Sequence, residues 1–405
     1  MMLKHRHTAR GLLQGSLYFR AKQLLEVDLN CQKNLFGMTR HIFREQKFIE
    51  VVRALQGCPW KEDKKVRDLL NPFTLWLEKE DPLFETRSQF EHFHPPPPPL
   101  VLNRCTSQTH RSLLQARCFG LAARALQRCS LTPTSTSTSR AEFQKCCNAS
   151  YSAFVTQENT PIGRTIHFDG HEGKKKVTES LHSLFPKNSP FQKPFKSCAV
   201  VGNGGILNNS FCGAEIDHAD FVFRMNLPPM NWTNDVGTKT NAVTANPSIL
   251  IDKFSSLLDK RKPFTTLMKE YGTTLIILPA FSYLQNTDVS LRVLYTMEDF
   301  DLDSRVVFFN PDYLRNLTAY WKQMGIKFKR LSSGLMVVSA AIEVCDKVTL
   351  YGFWPFSQGL DGVPILHHYY DNSLPIPGVH SMPEEFYQYL QMHIRGLLRL
   401  NLEQC

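Results

Sequence analysis

From about residue 146 onward, short β-branched and aromatic runs alternate with segments of helical pattern. Cys198–Gly202, Phe221–Arg224, Thr274–Leu278, Val306–Phe309 and Val348–Gly352 predict strands. Between them the punctuation predicts helices. Asn310-Pro311 supplies an N-cap and a proline at the first helical position, and Gly325 closes the segment PDYLRNLTAYWKQM. Leu331-Ser332-Ser333-Gly334 opens the apolar segment LMVVSAAIEVC, and Pro383-Glu384-Glu385 begins a last helix with acids where the macrodipole favours them. Strands alternating with helices imply an α/β fold, a mostly parallel sheet covered on both faces. In such sheets ligands bind beyond the carboxyl ends of the strands.

The first 145 residues follow another pattern. Residues 17–56 carry mixed charge with scattered apolar positions, as moderately amphipathic helices do. Pro95–Pro99 favour an extended spacer, and LTPTSTSTS at 131–139 is a second low-complexity break. The organisation expected is a variable, partly disordered stem over 1–145 and a folded domain over 146–405, without internal repeats.

Composition narrows the class. With 42% hydrophobic and 21% charged residues, the chain is neither collagen-like, nor wholly disordered, nor a polytopic membrane protein. A net charge of +10 suits an anionic partner such as a nucleotide, an acidic glycan, nucleic acid or a membrane surface. That charge is spread along the chain, with runs no longer than Lys174–Lys176, so a nucleic-acid stripe is not expected. Eleven cysteines cannot all pair within one chain, and no CxxC pair suggests a zinc ribbon or a thioredoxin-like site. Glycosylation sequons at Asn148, Asn208, Asn231 and Asn316 favour a secretory-pathway lumen. The opening MMLKHRHTARGLLQGSLYFRAKQLLEVDL has neither an apolar signal core nor a span near 20 residues. The expectation is therefore an atypical N-terminus or a chain outside the secretory route.

Four segments carry candidate chemistry. Val201-Gly202-Asn203-Gly204-Gly205 follows an apolar run, and its glycines allow backbone amides to approach a phosphate or sugar; a tight structural turn explains them equally well. The turn has neither the spacing of a dinucleotide fingerprint nor a P-loop Gly-Lys-Ser/Thr. Ser332-Ser333-Gly334 either caps a helix or binds an anion at its N-terminus. His367-His368-Tyr369-Tyr370-Asp371-Asn372 and His380-Ser-Met-Pro-Glu384-Glu385 bring histidines without metal-ligand spacing, which points to acid/base work. Asp301-Leu-Asp303 has the form of a metal-binding Asp-x-Asp, but it lies in an acidic stretch that reads as a solvated loop.

In order, these segments resemble the motifs of animal sialyltransferases. The large motif is matched by CAVVGNGGILNNSFCGAEIDHADFVFRMNLPP…NDVGTKTNAVTANPSI at 198–249, and the small motif by LSSGLMVVSAAIEVCDKVTLYGFWPF at 331–356. HHYYDN at 367–372 is similar to the third motif, and HSMPEE at 380–385 to the very small one. The resemblance covers about Cys146 to Cys405. Through NLPP, NPSI, GFWPF and HHYYDN it is nearest to the α-2,8-sialyltransferases of the mono- and oligosialyl type.

The resemblance implies a Rossmann-like variant of the GT-A architecture and an inverting, metal-independent transfer of sialic acid from CMP-sialic acid to a sialylated glycolipid or glycoprotein, with no cofactor. Asn203, Asn226, Ser332, Ser333, Gly334 and Trp354 would hold the donor, His368 would contact its phosphate, and His380 would be the base. Trp354 would stack on the cytosine or a sugar, and Glu385 would orient His380 or cap its helix. Disulfides Cys198–Cys345 and Cys212–Cys405 are implied, whereas Cys146 and Cys147 cannot readily bond each other across one peptide. Met225 stands where relatives commonly have Cys, and Ser333 where Thr is usual. Golgi membrane residence with a lumenal catalytic domain is implied too, and a homodimer is left open. Two readings compete: a catalytically silent homologue that binds sialoglycans or CMP, and a nucleotide-cofactor oxidoreductase, which lacks the third glycine and a ribose-binding acid.

Overall fold

The computed structural model describes residues 143, 145–326, 330–374, 379–394 and 396–405, and the stem expected over 1–145 lies almost entirely outside them. Phe143, just before the expected domain boundary, is buried against Tyr320 and Trp321.

Seven parallel strands form the main sheet: β3 (Phe195–Val201), β4 (Phe221–Arg224), β5 (Ala242–Thr244), β6 (Leu275–Leu278), β7 (Arg305–Phe308), β8 (Cys345–Tyr351) and β9 (Arg399–Asn401). Ahead of them, β1 (Thr165–His167) and β2 (Lys174–Lys176) pair antiparallel as a separate hairpin. The spatial order is β7-β6-β5-β4-β3-β8-β9. From β3 the chain therefore builds outward to β7, then crosses back to place β8 on the other side of β3. The reversal between β3 and β8 is the topological switch point, where the loops leaving the two strands diverge and open a crevice.

Both faces of the sheet are covered, and alternate strand residues serve opposite cores. In β6, Leu275 and Ile277 join one cluster and Ile276 and Leu278 the other. A strand buried on both faces has no polar side to show, so it reads as a continuous apolar run. Helices α4 (Pro311–Gln323) and α5 (Ser333–Val344) cover one face; α2 (Arg261–Glu270) and α3 (Leu284–Asp299) cover the other, with α1 (Gly213–His218) packed near β3 and β4. Asn310 caps α4 by accepting the Asp312 N–H (3.0 Å), and Gly325 ends it at φ 98°.

In α5 every residue from Leu335 to Val344 is buried. Its one carboxylate, Glu343, accepts the Ala149 N–H (2.7 Å) and the Tyr313 hydroxyl (3.3 Å), and burial raises it to about 8. Because α5 runs straight into β8, it lies antiparallel to that strand with its N-terminus at the carboxyl ends of the sheet. The last helix, α6 (Met382–Ile394), leads into β9 in the same way. Disulfides join Cys198 to Cys345 and Cys212 to Cys405. The sulfurs of Cys146 and Cys147 lie 2.9 Å apart.

Candidate active site

The glycine turn after β3 directs its amides inward. The Gly202 N–H donates to Tyr351 O (2.7 Å), Gly204 to Gly352 O (2.9 Å) and Gly205 to His367 O (3.2 Å). A Cβ on Gly204 would fall 2.6 Å from Gly352 O, and one on Gly205 only 1.9 Å from Leu366 O. Of the two readings offered by the sequence, the tight turn is the one realised. The glycines let three backbone segments touch, which draws the ends of β3 and β8 and the 366–372 segment onto one rim.

Asn203 keeps free chemistry in this turn. Its Nδ2 donates to Met225 O (2.9 Å) and reaches the Tyr370 hydroxyl (3.4 Å). Its Oδ1 is buried and has no hydrogen-bond partner among the described residues. A buried acceptor left unpaired is costly, so a ligand donor would be well received there. Asn226, just past β4, adopts the left-handed conformation (φ 59°) that Asn tolerates better than most residues. Its Oδ1 accepts the Asn246 N–H (3.0 Å), while its Nδ2 has no partner among the described residues.

His368 pairs with the turn through a backbone bridge to Gly204. Its Nδ1 lies 2.7 Å from Asp371 Oδ1, and its ring stacks on Tyr370 with centroids 5.2 Å apart. A nitrogen facing a carboxylate carries the proton, so Nε2 is the nitrogen left for other partners. Burial pushes Asp371 up, but the Ser373 N–H and His368 outweigh it and hold the carboxyl below its usual range.

The N-terminus of α5 completes the rim. Ser332 Oγ accepts the Leu335 N–H (3.0 Å) as N-cap, while the amides of Ser333 and Gly334 have no partner among the described residues. Such a terminus is a ready anion site. A Cβ on Gly334 would sit 3.2 Å from the Phe353 ring, and one on Gly202 would also meet that ring at 3.2 Å, so the helix terminus and the glycine turn flank one side chain.

Glu385, expected to orient His380 or cap its own helix, does neither. It reaches across to Ser332, accepting its N–H (2.8 Å) and its hydroxyl, and burial raises it to about 7. His380 is instead oriented by a backbone carbonyl, with Nδ1 2.9 Å from Arg330 O. A nitrogen facing a carbonyl must carry the proton, which leaves the lone pair on Nε2. Burial lowers the pKa of His380, and the Arg330 charge adds to the effect against the carbonyl's opposing pull.

Trp354 occupies a different place from the one expected. It is 3% exposed, its Nε1–H donates to Gln358 O (2.8 Å), and its indole packs edge-on against Phe356 and Phe386. The ring thus belongs to the core beneath the rim rather than to a surface on which a base could stack. Asp301 and Asp303 are exposed on the loop entering β7, at the amino ends of the strands, on the far side from the crevice. The four sequon asparagines are all exposed. A cavity of about 890 Å³ opens beside the rim among Gly205–Ser210, Gly359–Leu366 and Leu402–Gln404. It contains neither imidazole: His368 lies against the glycine turn, and His380 beside Arg330, just ahead of the α5 terminus.

Comparison with known proteins identifies the family. The model of Glycosyltransferase family 29 (sialyltransferase) matches residues 154–397, a span that holds both imidazoles and the α5 terminus. An alpha-N-acetylneuraminide alpha-2,8-sialyltransferase of Xenopus tropicalis is 50% identical over 266 residues, covering 65% of this chain and 77% of that protein. Alpha-2,8-sialyltransferase 8E of Homo sapiens is 46% identical over 270 residues, covering 66% and 72%. The crystal structure of a mammalian sialyltransferase aligns with a TM-score of 0.44 and 22% identity, covering 63% of this chain and 91% of that one. This chain belongs to glycosyltransferase family 29, the sialyltransferases.

Proposed function

We propose that the protein is an α-2,8-sialyltransferase, moving sialic acid from CMP-sialic acid to a hydroxyl of a sialic acid that already ends a glycan. Support comes from the names of the relatives above and from one observation in particular. His380 is held through Nδ1 on a fixed carbonyl, with Nε2 bearing the lone pair and a pKa below the usual imidazole value. That is the state a general base needs. It takes the proton of the acceptor hydroxyl during attack, a contribution of about 10²–10⁴-fold.

Departure of the nucleotide needs charge stabilisation more than acid. The Ser333 and Gly334 amides, aligned with the α5 dipole, and the imidazole of His368 supply it as negative charge grows on the phosphate. Asn203 and Asn226 present the unpartnered amide atoms that would hold the donor. Attack from the side opposite the leaving group inverts the anomeric centre, and no step in this scheme calls for a metal ion.

The acceptor in this reading is a ganglioside or glycoprotein glycan that receives one or a few residues, because the basic run before the large motif is only Lys174–Lys176. Golgi membrane residence with a lumenal catalytic domain belongs to the same proposal. No helix among the described residues is long and apolar enough to cross a membrane.

The test is transfer of labelled sialic acid by the purified chain to a sialylated lipid and to a sialylated glycoprotein. His380→Ala is expected to abolish transfer while CMP still binds. Undiminished turnover in that variant would remove the base role. A wild-type chain that binds CMP and transfers nothing would be the silent homologue.

A further inference from the structure

The carbonyl that orients His380 belongs to a residue whose side chain is itself firmly held. Arg330 Nη2 donates to Ser282 Oγ (2.6 Å), Ser282 Oγ donates to Asp169 Oδ1 (2.7 Å), and Arg330 Nη1 lies 3.8 Å from Asp169 Oδ2. The guanidinium also sits 5.2 Å over the ring of Tyr283. The Arg330 and Asp169 side chains are only 18% and 9% exposed. Burying two opposite charges gives little net stability, because desolvation offsets their attraction; what such a pair supplies is fixed geometry.

Asp169 comes from the loop that follows β1, outside the main sheet, and that loop is fitted closely to its seat. The Gly170 N–H donates to Ser282 O (3.1 Å), and a Cβ on Gly170 would lie 2.5 Å from the Tyr283 ring and 2.6 Å from Ser282 O. The β1–β2 hairpin is thereby anchored against the segment leaving β6, with its carboxylate delivered to Arg330.

We propose that Asp169, acting through Ser282 and Arg330, is a positioning residue for the base: it fixes the Arg330 carbonyl, which holds the Nδ1–H of His380 and presents Nε2 to the acceptor hydroxyl. The proposal rests on the reading of His380 as base. Misplacing a reacting group by about 1 Å can cost 10²-fold, so the device matters without touching substrate.

Two variants with opposite electrostatic consequences test it: Asp169→Asn and Arg330→Met. Among the described residues, the charged group acting on His380 is Arg330, with Asp169 behind it, while Glu384 and Glu385 lie on α6, which begins just after His380. In Asp169→Asn the Arg330 charge loses its counterion, and the acid limb of the kcat/KM profile moves to lower pH. In Arg330→Met the cation is gone, and the limb moves to higher pH. Both variants are expected to lose about 10–100-fold in kcat, with the donor KM little changed. A purely structural role would lower stability without sending the two limbs in opposite directions.

Profiles that coincide with wild type, or that shift the same way at unchanged kcat, overturn the proposal. Asn retains the acceptor for Ser282, so Asp169→Asn decides the matter alone if Arg330→Met fails to fold by circular dichroism. His380→Ala is measured alongside. Full activity there would defeat the base assignment, whereas an inactive His380→Ala beside two unaffected positioning variants defeats only this inference.

Discussion

Replacing Glu385 by Gln should change how the stability of the protein depends on pH, and by a definite amount. The Glu385 carboxyl is 2% exposed, and burial lifts it from 4.5 to about 7 despite hydrogen bonds from Ser332 that pull the other way. A folded-state pKa above the unfolded value means that the native protein binds the proton more tightly. The contribution is therefore complete below pH 4.5 and is lost as pH rises through about 7. At 1.36 kcal/mol per pH unit, the loss over that window is about 3 kcal/mol.

Gln does not titrate, and its carbonyl can still accept the Ser332 N–H. The stability difference between Glu385→Gln and wild type should therefore grow in favour of Gln by about 3 kcal/mol between pH 4.5 and pH 8. Glu343, raised to about 8, and His393, lowered to about 4, titrate in both proteins and cancel in the difference. The assay is urea unfolding followed by circular dichroism with the disulfides intact, at half-unit steps across this range. A difference that stays constant with pH would refute the reasoning, because it would mean that burial leaves the proton affinity of the carboxyl unchanged.

Two further outcomes follow from the site. Asp371→Asn removes the carboxylate that holds Nδ1 of His368 and should cut transfer by roughly 10–100-fold in initial-rate assays, whereas wild-type turnover would take His368 out of the mechanism. Gly205→Ala places a Cβ 1.9 Å from Leu366 O and should cost roughly 3–5 kcal/mol in urea unfolding; a near-neutral result would show that the rim can part without penalty.

The elements that could be read from the sequence are those in which burial and local chemistry agree. Strands β3, β4, β6, β7 and β8 lie where their apolar runs predicted, because a strand covered on both faces must be apolar throughout. Asn310-Pro311 and Ser332 cap their helices as their residue types indicate. Strands β5 and β9 escaped notice for opposite reasons. Ala242–Thr244 is central but only three residues long, and Arg399–Asn401 is an edge strand of residues with little β preference. The glycines after Val201 announced a close approach but not its object, since a backbone that meets another backbone needs the same residue as one that meets a ligand. Trp354 in the core, Glu385 on Ser332 and Asp169 behind Arg330 were hidden because each depends on a contact between segments distant in the chain.

That dependence explains where the covalent links fall. The candidate site is assembled from the turn after β3, the loop after β8 and the starts of α5 and α6, pieces that nothing local in sequence holds together. Cys198–Cys345 ties β3 to the junction of α5 and β8, and Cys212–Cys405 ties the segment after β3 to the tail beyond β9. Both links stitch the β3-β8-β9 half, and no disulfide among the described residues enters the β4–β7 half. With separations of 147 and 193 residues, each removes unfolded-state entropy worth about 5 kcal/mol in the chain-entropy model. The β4–β7 half follows one regular crossover after another and can rely on its two apolar cores. The half that carries the imidazoles needs a rim in fixed register across a topological reversal, and there the protein adds bonds that do not depend on packing.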